Sequence, residues 1–221
     1  MTMANTQLTA FVSEIQKFIN HWTQVNAALP PTKPLLLAKG YTLANLQSDL
    51  AALQADMNAT VTGENAVQGA NNQRDATKEV VRERHRQFRQ GVQGRLAETK
   101  YVAMLPTLPA LRATEGVTLK AFQDVLDIWK QIDTDTVIVP ASERPFLLAD
   151  DYGQAAFAAD LTTLMTAFTA VSTANSTLST ARKNRDAGIK AIRKRVLLYG
   201  KSVSSRLTAG HPLTQNLPSV P

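Results

Sequence analysis

The sequence predicts an all-α fold: an elongated antiparallel helical bundle produced by tandem duplication and arranged about a pseudo-two-fold axis. Three observations predict it. Apolar residues recur at helical spacing along most of the chain. The 221 residues match themselves when displaced by 111 positions. Proline clusters punctuate both halves at corresponding places.

The self-match runs along nearly the whole chain. KPLLLAKGY (Lys33–Tyr41) falls on RPFLLADDY (Arg144–Tyr152), and DLAAL from Asp49 falls on DLTTL from Asp160. QRDATKEVVRERHRQFRQGVQGRL (Gln73–Leu96) shares R-D-A, R-x-R and V-x-x-R-L with NRDAGIKAIRKRVLLYGKSVSSRL (Asn184–Leu207). Each copy closes on a proline clip, LPTLP from Leu105 and LPSVP from Leu217. Two copies are too few for a solenoid. The expectation is therefore a fused pseudo-dimer of residues 1–109 and 110–221, forming one intertwined unit.

Each copy holds a short amphipathic helix and a long heptad-patterned one. The first short helix, about residues 5–29, carries the stripe Leu8, Phe11, Ile15, Phe18, Trp22, Val25. Its counterpart, about 117–133, carries Leu119, Phe122, Val125, Leu126, Trp129 and Ile132. Both tryptophans are expected in the core, and the PLLLA and PFLLA segments are expected to tuck under the short helices.

The second long helix, about 151–208, has a seam of Phe157, Leu161, Leu164, Phe168, Val171, Asn175, Leu178, Arg182, Arg185, Ile189, Ile192, Val196, Tyr199 and Val203. Those steps of four and three make a coiled-coil pattern. The first, about 42–100, keeps phase through Leu46, Leu50, Leu53, Met57, Thr60, Glu64 and Val67, then Val81, His85, Phe88 and Val92. Poor helix formers fill both middles, and a turn near 60–72 or 171–183 would use Gly63 and Gly69. The unbroken phase favours continuous helices of about 58 residues, roughly 85–90 Å long. The short helix between them is too short to carry the chain back, so the long helices are expected to run antiparallel.

Charge is unevenly placed. Net charge is +6, yet residues 74–100 carry +4, residues 182–206 carry +8, and the remainder −6. Arg74 and Arg185 fall on the seam, each followed by an aspartate (Asp75, Asp186), and Arg95 and Arg206 touch its end. A charge on a seam needs a partner, and such pairs can fix register. These six are expected to be structural. The candidates for an external anion or partner are Arg82, Arg84, Arg86, Arg89, Arg193, Lys194, Arg195 and Lys201. Gly91 and Gly94, matched by Ser202 and Ser205, would permit a close approach.

Little points to chemistry. With no cysteine there are no disulfides, thiol nucleophiles or thiolate metal sites. No H-E-x-x-H, paired E-x-x-H, G-x-S-x-G or Walker loop occurs. His21, His85 and His211 stand at unmatched positions, and His85 reads as a packed core residue. No catalytic residue, metal or cofactor is expected. The N-terminus does not read as a signal peptide, and no stretch approaches the roughly 18 apolar residues of a membrane span. The expected protein is a cytoplasmic, non-enzymatic scaffold, spacer or subunit that self-assembles or binds protein partners. The alternative is non-specific binding of nucleic acid or an anionic surface by the basic helix halves.

Overall fold

A computed structural model describes residues 5–208 and 210–220. Residues 1–4 and Pro221 of the second clip lie outside them. The chain is all-helical, 77% helix with no strand among the described residues. The described residues form six α-helices: α1 (Asn5–Ala28), α2 (Leu43–Arg95), α3 (Lys100–Met104), α4 (Glu115–Thr134), α5 (Gln154–Ser204) and α6 (Pro212–Gln215).

The two long helices are unbroken, at 53 and 51 residues. In their middles the poor helix formers turn their polar side chains back onto the helix's own carbonyls. Thr60, Thr169 and Thr180 donate their hydroxyls to the carbonyls four residues back, and Asn71 and Asn175 do the same with their amides. Gly63 makes no turn. A Cβ there would stand 3.3 Å from the Leu178 backbone, so its missing side chain lets α2 and α5 approach.

The seam also differs from the sequence expectation at mid-helix. Glu64, Asn175 and Arg182 are exposed, whereas Gly63, Ala167 and Ala181 are buried beside the expected Leu178. A straight helix drifts about 20° per heptad against a strict 3.5-residue repeat, so the buried line moves onto a neighbouring residue. The small residues Gly63, Ala167 and Ala181 lie on this line.

Contacts divide the chain into two compact units: residues up to Glu64 with those from Ser176 onward, and Asn65–Asn175. The divisions fall inside the long helices, not at residue 109. Each long helix gives its first half to one unit and its second half to the other.

In the first unit, α1 lays Phe11, Ile15, Phe18, Trp22 and Val25 against Leu46, Leu50 and Leu53 of α2 and Ile189, Ile192, Val196, Tyr199 and Val203 of α5. Leu53 meets Gly188 while Gly63 meets Leu178, so α2 and α5 run in opposite directions here. In the second unit, α4 lays Phe122, Val125, Trp129 and Ile132 against Phe157, Leu161 and Leu164 of α5 and Val81, Phe88 and Val92 of α2. Full burial of each such side chain contributes about 1.5–3 kcal/mol. Arg74 shares a cleft with Val171 while Arg95 reaches Leu147, so the direction is again opposed.

The segments before α2 and α5 are built alike. The Asn26 side chain accepts the Leu35 N–H at 2.9 Å, and the Asp133 carboxylate accepts the Phe146 N–H at 2.7 Å. Leu37 N–H bonds Tyr41 O at 2.9 Å and Leu148 N–H bonds Tyr152 O at 2.8 Å. Within these tight loops Lys39 and Asp150 both take positive φ, 64° and 59°.

One expectation is corrected by α5. By length and composition it contains a stretch apolar enough to cross a membrane. The reason is a run from Leu161 to Ala181 without a charged residue, rich in Ala and Thr. Of its larger apolar residues Leu161 and Leu164 are core residues of the second unit, Phe168 packs against that core, and Met165 is exposed.

Candidate functional site

The basic half of α2 presents two different faces. On the inner one, Lys78, Arg82, His85 and Arg89 recur at steps of four and three, and all four reach backbone carbonyls of the linker after α3. Lys78 Nζ donates to Leu111 O at 2.8 Å and Ala113 O at 3.4 Å. Arg82 Nη1 donates to Pro109 O. His85 Nε2 and Arg89 Nη1 reach Pro106 O at 3.2 and 3.5 Å. Proline lacks an N–H and disfavours helix, so its segment leaves carbonyls open to such donors. The first clip therefore docks on its own unit.

Burial tunes this ladder. Lys78 is held below its ordinary pKa, chiefly by desolvation and then by the Arg82 and Arg74 charges. His85, fully buried, is pushed down to about 4, chiefly by desolvation, against the pull of the Pro106 carbonyl. With Nε2 donating, its buried Nδ1 has no partner. Arg82, expected to face outward, is 8% exposed and also pairs with Glu79 at 3.3 Å. The physical reason is the linker, whose carbonyls draw the guanidinium inward.

On the outer face of α2 the charges are mutually paired. Arg86 bridges Glu79 at 2.7 Å and also contacts Glu83. Arg84 lies over the Tyr152 ring, 4.1 Å from its centroid. On α5 the matching Arg195 lies over Tyr41 at 4.4 Å. Each tyrosine donates to an aspartate at the end of the second turn of the following long helix, Tyr41 to Asp49 at 2.5 Å and Tyr152 to Asp160 at 2.6 Å. Burial first, then that carboxylate, raises both phenols well above the usual tyrosine range. Arg193 stands 5.4 Å from the Phe11 ring.

The six seam residues divide. Arg185 is 3% exposed and bonds Asp186 at 2.8 Å. Arg74 bonds Asp75 in the same way at 2.7 Å, half-buried. Arg95 is exposed, yet it stacks 3.9 Å from the Phe146 ring, bonds Leu147 O at 2.7 Å and pairs with Glu143 at 3.1 Å. Arg206 reaches Pro34 O at 3.5 Å. Both thus tie a helix end to the segment preceding a long helix. Gly91 is needed there, since a Cβ would come within 3.1 Å of the Phe146 ring, whereas Gly94 faces open space.

Of the eight candidates for an external contact, Arg82, Arg84, Arg86, Arg89, Arg193 and Arg195 have intramolecular partners. Lys194 and Lys201 are exposed. Sequence reasoning missed Lys183 and Lys190, which share their helix face; the signal was a spacing of seven and four residues. It also missed the linker carbonyls, because backbone acceptors leave no trace in residue identity.

Other features lack convergent chemistry. His21 Nδ1 bonds the Tyr199 hydroxyl at 2.7 Å inside the first core. His211 caps α6, accepting the Leu213 N–H at 3.2 Å. A cleft of about 690 Å³ is lined by Arg74, Lys78, Glu79, Arg112, Phe168 and Val171, with Lys78 already engaged. Among the described residues no group of three or more His, Asp or Glu is placed to hold a metal ion. No family model, curated protein or solved structure matches this chain.

Proposed function

We propose that this chain is a non-enzymatic, cytoplasmic structural protein: a tandemly duplicated, pseudo-two-fold antiparallel bundle acting as scaffold, spacer or subunit of a larger assembly. The carrying observation is that its ionisable residues recur as matched architectural braces. Tyr41–Asp49–Arg195 and Tyr152–Asp160–Arg84 are the same triplet at equivalent positions. Asn26–Leu35 and Asp133–Phe146 are the same tether, with four extra residues in the second loop. A group held by an aromatic face and a carboxylate is unavailable for substrate.

An exposed apolar tip supports partner docking. Asp135 accepts the N–H groups of both Val137 and Ile138 at 3.0 Å, fixing a loop in which Val137 is 92% exposed. A large apolar side chain presented on a pinned loop suits an interface. Light scattering across a hundredfold concentration range tests the reading. Oligomers that grow with concentration and are lost in Val137→Asp support it; a monomer throughout, with native-host fractions also at monomer size, overturns it.

A further inference from the structure

We infer that the outward face of α5 in the first unit is a docking strip for the phosphate backbone of a nucleic-acid duplex, carried by Lys183, Lys190, Lys194 and Lys201. This goes beyond the scaffold reading and concerns a partner of different chemistry.

Steps of seven, four and seven residues keep these four lysines within about 20° of one line on a helix turning 100° per residue. That line is opposite the buried residues Ile189, Ile192, Val196, Tyr199 and Val203. From Lys183 to Lys201 it extends about 27 Å at 1.5 Å per residue. All four are exposed, and none has an ion pair or hydrogen bond among the described residues. The one acidic residue in this half of α5, Asp186, is engaged by buried Arg185.

The fold itself does not require such a row. The equivalent positions on α2 are Asn72, Glu79, Glu83 and Gln90, where Arg86 bridges the two glutamates. One copy therefore neutralises this face internally, and the other leaves it uniformly cationic. Helix polarity accounts for Lys201 alone, since only the last turn feels the macrodipole. Like charges at i, i+4, as at Lys190 and Lys194, destabilise a helix slightly. A row of compact, fully hydrated ammonium groups with no base-reading or stacking residue among them suits backbone phosphates without sequence preference. The flanking Leu197 and Leu198, 61% and 36% exposed, are too few to form the apolar face that insertion into a lipid surface needs.

The test is fluorescence anisotropy with a generic 25-base-pair duplex, from 25 to 200 mM salt. Four phosphate contacts give a log–log salt slope of about −3.6, a loss of about a hundredfold between 50 and 200 mM. Replacing the four lysines by glutamine is expected to weaken binding more than tenfold at 50 mM and to flatten the slope. The control changes Lys17, Lys33, Lys120 and Lys130 to glutamine, removing equal charge elsewhere, and is expected to bind within about twofold of wild type. Circular dichroism verifies that both variants are folded. No duplex binding at 25 mM, equal loss in both variants, or lysine-dependent binding to phosphatidylglycerol vesicles without duplex binding overturns the proposal.

Discussion

The Arg84 guanidinium lies 4.1 Å from the centre of the Tyr152 ring, and the Tyr152 hydroxyl is 2.6 Å from Asp160. The aromatic ring thus joins the basic half of one long helix to the start of the other within the second unit. A cation over a ring contributes about 0.5–2 kcal/mol, depending on desolvation. Arg84→Ala and Tyr152→Leu are each expected to destabilise. A double-mutant cycle in urea should return a coupling of about 1 kcal/mol. Strict additivity would show that the stacking contributes nothing.

The pH dependence follows from His85. Its folded pKa, about 4, lies below the ordinary 6.5, so between these values the unfolded chain binds the extra proton. Stability is therefore full above about pH 6.5 and lost as pH falls toward 4, by up to about 3 kcal/mol at about 1.4 kcal/mol per pH unit. His21, also lowered by burial, adds in the same direction. Urea midpoints measured from pH 7.5 to 4 should fall less steeply in His85→Gln.

Two glycines of α2 should respond oppositely. Gly69 has open space where a Cβ would go, so Gly69→Ala is expected to gain about 1 kcal/mol in helix propensity, or about 2–4 °C in Tm. Gly63 faces the Leu178 backbone, and Gly63→Val is expected to lose about 1–3 kcal/mol through overpacking. Thermal unfolding of the two variants distinguishes a close helix contact from a mere weak point.

The linker ladder predicts a local effect. Arg82→Met keeps the buried stem but removes the donor to Pro109 O. Cleavage after exposed Arg112 by limiting trypsin should then accelerate several-fold, with helicity unchanged. An unchanged rate would mean that Lys78 and packing alone hold the segment.

Much of the architecture was legible in the chain because helical periodicity is local. Stripes such as Phe11–Ile15–Phe18–Trp22 and Phe157–Leu161–Leu164 state which face is buried, whatever it packs against. Continuity of the long helices was legible too, since heptad phase persists across the threonine- and asparagine-rich middles. The exchange of seam positions from Glu64 and Arg182 to Gly63 and Ala181 was not. It depends on helix drift and interhelical distance, which only the packed pair defines.

Residue type and spacing determined that the chain is helical, that its cations gather in two helix halves, and that no familiar catalytic motif is present. Tertiary structure decided which cations have partners. Arg82 and Arg84 belong to one R-x-R pair, yet one is buried on a proline carbonyl and the other caps a tyrosine ring. Their partners lie in segments remote in sequence, and the backbone carbonyls among them are identical at every residue. Pairing depends on distance in space, so only the fold could separate the committed arginines from the open lysines of α5.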